Sequence, residues 1–180
     1  MLVFLDFEAS SLSKQSYPVE VAWIFEDGAS ESHLIRPAPN WTEWDPKAAA
    51  IHGISRDELE RAGTPHEEVA HRMVTVLDGH DLLASAPSWD GKWLSVLLRA
   101  AGLPRHTLRL RDSDDAILEV ARETLRGKVP DAELEALASK AAETEVRIPG
   151  TAPAHRALAD AEEERQRWLA VREAAAKIAG

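Results

Sequence analysis

The N terminus of the chain carries an apolar run that ends in two closely spaced acids. Residues Leu2 to Leu5 are all hydrophobic, and Asp6 and Glu8 follow in the stretch LVFLDFE. Such a run is typical of a strand buried on both faces. Because alternate residues of a strand point to the same side, the two carboxylates lie together, where they repel each other and are costly to desolvate. Either the strand finishes at Leu5 and the acids face water, or a divalent cation binds between their oxygens.

Five segments of the sequence have strand character: LVFLDFE, YPVEVAWIF, SHLIRP, HDLLASAP and HTLRLRD. The first three predict a meander, because the second alternates Val19, Val21, Trp23 and Phe25 before an Asp-Gly turn. The last two are separated by a helical pattern. Strands first, then strands interleaved with helices, predict an α/β domain with a mixed sheet.

Five helices are predicted from the periodicity of the apolar residues. They cover TPHEEVAHRMVTVL, SWDGKWLSVLLRAA, SDDAILEVARETL, PDAELEALASKAAE and the C-terminal stretch AHRALADAEEERQRWLAVREAAAKI. Thr64 and Ser88 are predicted as N-caps, and Ser113 as the opening residue of the third helix. The segment NWTEWDPKAAAIHGIS is predicted to be a connection with a short helix after Pro46, and TEVRIPGTAP to be a loop.

Length and composition limit the class of protein. With 180 residues, 44% of them hydrophobic and 29% charged, the chain is predicted to form one globular domain. The absence of cysteine excludes disulfides and thiolate metal sites. No signal peptide and no membrane span of ~20 apolar residues are seen, so a cytoplasmic protein without a membrane partner is expected. The net charge of −10 counts against a large duplex-binding surface, but an enzyme that holds a few nucleotides at a strand end is compatible with it.

Two further acids occur at positions that suit a common site. Asp90 lies in the predicted first turn of a helix, directly after a strand, where it either compensates the helix dipole or reaches a cation. Asp160 follows His155 in the stretch HRALAD, at a separation that corresponds to ~140° of helical rotation and ~7.5 Å of rise. The two converge only if His155 stands on the loop or in the first turn. Otherwise they are solvated side chains of an acid-rich helix.

Together these motifs resemble the DEDDh group of 3′-to-5′ exonucleases, which includes ribonuclease T and oligoribonuclease. The resemblance rests on DFEASSL, SWDGKWL and HRALAD in this order, and also on YPVEVAWI and IHGIS. It covers nearly the whole chain, residues 1–180, as a single exonuclease domain. Three positions depart from the family pattern. Ala86 stands where family members often have Asn, Trp89 stands in place of Phe, and Ser11 stands where the first motif usually has Gly. None of these family positions is a metal ligand, so the departures bear on substrate preference.

The resemblance implies a ribonuclease-H-like fold with a mixed five-stranded sheet flanked by helices. It also implies hydrolysis of single-stranded DNA or RNA from the 3′ end to nucleoside 5′-monophosphates, with two divalent cations, Mg²⁺ or Mn²⁺. Asp6 would bridge the two ions. Glu8 and Asp160 would complete one of them, and Asp90 would hold the other. His155 would accept the proton of the attacking water, which suits an imidazole near neutral pH.

Substrate contacts are implied around the first two motifs, with the 3′ end of a single strand as partner and a monomer or homodimer as the assembly. Ala9 and Ser10 lie where backbone groups approach the terminal nucleotide. Leu12 aligns with an apolar residue that presses on the terminal bases, although core packing is an alternative for it. Trp89 is the best candidate for stacking on a base. Three other tryptophans fit core faces of predicted elements: Trp23, Trp93 and Trp168.

Two other classes of function stay open at this point. A non-catalytic nucleic-acid-binding or regulatory module can keep the same fold, although the filled catalytic positions argue against it. A metal-dependent phosphohydrolase acting on small phosphates, or an endonuclease of related fold, can use a similar set of carboxylates. The His-x-x-x-x-Asp motif favours the exonuclease, and the choice between DNA and RNA stays open.

Overall fold

The computed structural model describes residues 1–143 and 155–180, so the predicted loop over 144–153 lies outside the described residues. The strands are β1 (Leu2–Ala9), β2 (Pro18–Phe25), β3 (Ser30–Arg36), β4 (Thr64–Pro65), β5 (Asp81–Ala84) and β6 (Leu110–Asp112). They form one sheet in the order β4-β3-β2-β1-β5-β6. β1, β5 and β6 are parallel, whereas β2 is antiparallel to both of its neighbours. The predicted α/β class with a mixed sheet is confirmed.

The sheet has six strands in the described part of the chain, whereas the sequence predicts five. The additional strand, Thr64–Pro65, pairs in parallel with Ile35 and Arg36 at the end of β3. The prediction that Thr64 caps a helix is therefore wrong: Pro65 is extended, with ψ of 135°, and the helix begins at His66. Pairing with a strand distant in the sequence decides the conformation of these two residues.

Gly63 allows this close pairing. A Cβ atom at Gly63 would lie 2.7 Å from the backbone nitrogen of Arg36 and 2.4 Å from the carbonyl oxygen of Leu59. Both distances are far below van der Waals contact, and both partners are main-chain atoms that have little freedom to retreat. Only glycine therefore fits where the chain enters β4.

The helices are α1 (Pro46–His52), α2 (Arg56–Ala62), α3 (His66–Leu77), α4 (Pro87–Ala100), α5 (Ser113–Leu125), α6 (Leu134–Ala142) and α7 (Ala157–Ala179). Helix α2 is missing from the sequence-based prediction, although Ser55 caps it by accepting a hydrogen bond from the N–H of Glu58 at 3.1 Å. This Ser-x-x-Glu pattern is a helix-start signal that the sequence contains. Helix α4 begins at Pro87, a residue suited to the first turn, so Ser88 is not its N-cap.

The sheet separates two hydrophobic cores. Val3, Leu5 and Phe7 of β1 belong to the core that includes buried residues of α3 and α4. Phe4 belongs to the core formed with α5, α6 and α7. Because side chains of a strand alternate between faces, Asp6 and Glu8 point to the same side as Phe4, toward α7.

Three tryptophans pack as predicted: Trp23, Trp93 and Trp168 are all buried. Across the residues with described structure, no helix has both the length and the apolar character needed to cross a bilayer.

Candidate active site

The carboxyl ends of β1 and β5 form an open corner of the sheet. β5 pairs with β1 only from Leu2 to Phe4. In the described structure, the rest of β1, which carries Asp6 and Glu8, therefore lacks a strand on its β5 side. Helix α4 follows β5 directly, and α7 packs across β1 and β2. Ligands of open α/β sheets bind beyond the carboxyl ends of parallel strands, so this corner is the natural position for a site.

Three carboxylates from opposite ends of the chain meet at this corner. Asp6, Glu8 and Asp160 each offer an oxygen atom, and these atoms lie within 4.8 Å of one another. Asp160 reaches the group from the first turn of α7, where its N–H donates to the carbonyl oxygen of Arg156 at 3.1 Å. Hard cations such as Mg²⁺ and Mn²⁺ prefer oxygen ligands of this kind. The donor set therefore fits a divalent cation.

The electrostatics of this carboxylate group support the same interpretation. Burial, together with the charges of Asp90 and Glu8, raises the pKa of Asp6 to about 9. Burial and the charge of Asp160 raise the pKa of Glu8 to about 7. Burial also raises the pKa of Asp160. Carboxylates held this close destabilise one another unless a positive charge lies among them, and a bound cation reverses the balance.

Asp90 enters the corner from the opposite face of the sheet. It lies in the first turn of α4 and is only 2% exposed, and its Oδ2 atom has no hydrogen-bond partner among residues 1–143 and 155–180. Burial raises the pKa of Asp90 to about 7, although backbone groups nearby offset part of this effect. Asp90 is outside the 4.8 Å group, but its charge is the largest single carboxylate contribution to the raised pKa of Asp6. A buried carboxylate oxygen without a partner fits a second cation or a water molecule bound to it.

His155 lies at the entrance to α7, two residues before the helix begins, and its side chain is exposed. Its charge lowers the pKa of Asp160 and so acts in the sense opposite to burial. Among the described residues it is the one non-glycine residue with a positive φ, 26°. His155 therefore lies close enough to Asp160 to act on its charge, and it stands outside the helix that carries Asp160.

The residues after Glu8 form a tightly bonded loop with an apolar tip. The hydroxyls of Ser10 and Ser11 donate to the two carboxylate oxygens of Glu43 at 2.8 and 2.6 Å. Ser11 stands where the DEDDh resemblance leads us to expect a glycine, and its hydroxyl makes this contact. Leu12 at the tip is 69% exposed, so core packing is not its role. Ala9 and Ser10 are both buried at the base of the loop.

Trp89 lies beside Asp90 and remains 38% exposed. Its ring stacks on Trp93 with 5.7 Å between centroids and 29° between planes. The Nζ atom of Lys92 lies 5.0 Å from the centroid of the Trp89 ring. Lys92 also donates to the carbonyl oxygen of Ser13, in the loop that carries Leu12. The exposed ring of Trp89 and the exposed side chain of Leu12 therefore both lie near the site. The hydrogen bond from Lys92 to Ser13 connects the helix that carries Trp89 to the loop that carries Leu12.

Two polar residues near the carboxylates are missed by the sequence analysis. Glu20, on β2 opposite Glu8, is only 1% exposed and accepts hydrogen bonds from the guanidinium of Arg156. Glu20 is the sole acid within the apolar strand PVEVAWIF. An isolated acid in such a strand indicates a buried, paired carboxylate, so the sequence contains a signal for Glu20. The pairing of Arg156 with Glu20, which lies 136 residues away in the sequence, is visible only in the tertiary structure.

The sheet order and the helix arrangement form the ribonuclease-H-like α/β fold that the resemblance to the DEDDh group predicts. Solved structures of exonuclease I share this fold. The chain matches the zinc-bound Escherichia coli exonuclease I–ssDNA complex with a TM-score of 0.68 and 20% identity, over 96% of this chain and 40% of that chain. Exonuclease I of Methylocaldum szegediense gives a TM-score of 0.67 and 20% identity over the same shares.

A third structure, E. coli exonuclease I with a dT13 oligonucleotide, gives a TM-score of 0.66 and 18% identity over 96% of this chain and 41% of that chain. The chain thus spans about two fifths of the length of these exonucleases. No protein-family model and no curated protein matches the sequence. The resemblance to the DEDDh group is confirmed at the level of the fold.

Proposed function

We propose that this chain is a metal-dependent 3′-to-5′ exonuclease of single-stranded nucleic acid, acting as a single domain and releasing nucleoside 5′-monophosphates. One observation carries the proposal: carboxylate oxygens of Asp6, Glu8 and Asp160 lie within 4.8 Å of one another, in a fold shared with exonuclease I. The complexes of E. coli exonuclease I with single-stranded DNA support a single strand as the substrate.

The four carboxylates would hold two divalent cations, Mg²⁺ or Mn²⁺. Asp6 would serve as a ligand to both, Glu8 and Asp160 to one, and Asp90 to the other. When bound, such ions supply positive charge at the attacking water and at the departing 3′ oxygen. With a pKa of about 9 for Asp6 and about 7 for Glu8, both carboxyl groups would have to release their protons to act as metal ligands.

His155 accepts the proton of the attacking water. Its exposed imidazole lies two residues before α7 and acts on the charge of Asp160. Leu12 presses against the terminal bases and Trp89 stacks on a base, while the backbone of Ala9 and Ser10 approaches the terminal nucleotide. These side chains select an unpaired end because stacking on a ring requires a base that is free of its partner strand.

The test is digestion of short DNA and RNA strands labelled at the 5′ end, at the 3′ end or internally, with Mg²⁺ or Mn²⁺. A 3′ label should be released first as a mononucleotide, and a 5′ label should pass through a ladder of shorter strands. A 3′ phosphate should block the reaction. The variant Asp6→Asn should be inactive, and Asp131→Asn, which removes an exposed carboxylate before α6, should behave as the parent protein.

Cleavage of a circular single strand would instead indicate an endonuclease. Hydrolysis of small phosphodiesters without attack on any strand would indicate a phosphohydrolase. Binding of strands without any hydrolysis, with either metal, would indicate a non-catalytic module. Each of these results contradicts the proposal.

A further inference from the structure

Glu20 and Arg156 join the strand that faces Glu8 to the first turn of α7. Glu20 is paired with Glu8 across β1 and β2. Arg156 Nη2 donates to Glu20 Oε1 at 2.6 Å, and Arg156 Nε donates to Glu20 Oε2 at 3.0 Å. The backbone N–H of Ala157, the first residue of α7, donates to the same Oε2 at 3.1 Å. A single buried carboxylate therefore binds both the residue before α7 and the helix itself.

The contacts of Arg156 and Ala157 with Glu20 fall within the His-x-x-x-x-Asp motif, between His155 and Asp160 in the sequence. His155 directly precedes Arg156, and the carbonyl oxygen of Arg156 accepts the N–H of Asp160 at 3.1 Å. The position of Asp160 relative to Asp6 and Glu8 is thus set through Arg156. The helix has no side-chain cap of its own: Arg156 is its N-cap residue, with no capping hydrogen bond from its side chain. Glu20 supplies the acceptor that a capping side chain would otherwise provide.

Glu20 is not itself available to a cation. Both of its oxygens already accept hydrogen bonds, from Arg156 and Ala157 and, at 3.4 Å, from the hydroxyl of Ser32. It is also outside the group of carboxylates whose oxygens lie within 4.8 Å. The carboxylate of Glu20 is charged, but hydrogen-bond donors already surround its two oxygens. Glu20 therefore affects the proposed metal ligand Asp160 indirectly, through the backbone at the start of α7.

We infer that Glu20 is a positioning residue: with Arg156 it fixes the first turn of α7 so that Asp160 and His155 stand at the carboxylates of β1. The inference rests on the proposed function, because it assigns a role within that site. The effect on cation affinity should be comparable to that of other residues that orient metal ligands, on the order of 10- to 100-fold.

The experiment measures Mn²⁺ affinity by calorimetry without substrate, and kcat and KM on a single strand, for Glu20→Gln and Arg156→Gln. Both variants should bind Mn²⁺ about 10- to 100-fold more weakly and lose kcat more than KM. The double variant should be little worse than the worse single variant, because both changes break the same contact. Arg156 is half-exposed, so its replacement keeps the test available if Glu20→Gln does not fold.

The signs of the two effects separate positioning from simple electrostatics. If only net charge mattered, removing the anion Glu20 would weaken Mn²⁺ binding and removing the cation Arg156 would strengthen it. Positioning predicts that both variants bind more weakly. Stronger binding by Arg156→Gln would therefore overturn the inference.

A control separates positioning from a general loss of stability. Val171→Ala removes two methyl groups from a fully buried side chain of the same helix, far from its first turn. This variant should lower the unfolding temperature but keep the Mn²⁺ affinity of the parent. Equal affinity of Glu20→Gln and the parent overturns the inference alone, whereas a parent protein that binds no Mn²⁺ overturns the proposed function as well.

Discussion

The replacement Asp6→Asn should stabilise the protein when no cation is bound. Asn has nearly the same shape as a protonated Asp but carries no charge at any pH. In the folded protein the pKa of Asp6 is raised from 3.8 to about 9, first by burial and then by its carboxylate neighbours. The folded state therefore keeps a proton that the unfolded chain releases above pH 3.8, and the free energy of unfolding falls as the pH rises toward 9.

The size of this effect follows from the pKa difference. Each unit of pKa difference between the folded and unfolded states corresponds to about 1.4 kcal/mol. From the unfolded pKa up to pH 7 the loss accumulates to on the order of 4 kcal/mol, a large part of the roughly 5–15 kcal/mol that stabilises a typical domain. Asp6→Asn removes this loss. Its advantage over the parent should therefore be up to about 4 kcal/mol at pH 7 and should vanish near pH 4.

Urea unfolding in excess chelator, at several values between pH 4 and pH 8, measures this difference. The fluorescence of the buried Trp23, Trp93 and Trp168 provides the signal. Saturating Mn²⁺, at about 100 times its Kd, should then stabilise the parent by about 2.7 kcal/mol and leave Asp6→Asn unchanged. If Asp6→Asn is less stable than the parent in chelator at pH 7, Asp6 is a structural residue and the reasoning is refuted.

Three further predictions concern the roles of the site residues. Chelation should abolish hydrolysis, and Mn²⁺ or Mg²⁺ but not Ca²⁺ should restore it, because Ca²⁺ prefers more ligands at longer distances; strong activity in excess chelator would contradict the metal mechanism. His155→Ala should keep the Mn²⁺ affinity of the parent but lower turnover by ~10²–10⁴-fold, with a smaller loss at higher pH; full turnover at pH 7 would exclude His155 as the base. Trp89→Ala should raise KM about 5- to 150-fold, as expected for one lost stacking contact; an unchanged KM on single strands would show that Trp89 does not contact the substrate.

Much of the fold can be predicted from the sequence because its signals are local. The apolar run of β1 and the alternation along β2 show which faces of each strand are buried, because side chains of a strand alternate regularly between its two faces. The apolar periodicity of α3, α4 and α5 likewise reflects the face that each helix buries. The two-residue strand β4 has no such pattern of its own. Its conformation depends on Ile35 and Arg36, and on the absence of a side chain at Gly63.

Helix α2 and the cap of α4 were missed for a different reason. The Ser55 capping signal is present in the sequence, but the helix that follows it has only seven residues and a weak apolar face. At the start of α4, Ser88 and Pro87 are both suitable for the first positions, and the fixed φ of proline places it at the first position of the helix. Short helices and exact boundaries depend on small free-energy differences that periodicity does not resolve.

The position of Asp6 and Glu8 on one face of β1 can be predicted without coordinates, because it follows from the two-residue period of any strand. The same local patterns place Asp90 in the first turn of a helix that follows a strand. No local pattern predicts that an oxygen of Asp160, more than 150 residues from Asp6 in the sequence, lies within 4.8 Å of oxygens of both Asp6 and Glu8.

Asp160 approaches these acids because α7 packs on β1 and β2, and this packing consists of contacts between opposite ends of the chain. The same packing makes Glu20, an isolated acid in an apolar strand, the acceptor of a hydrogen bond from the first residue of α7. Local patterns carry no information on which distant donor a buried carboxylate will meet.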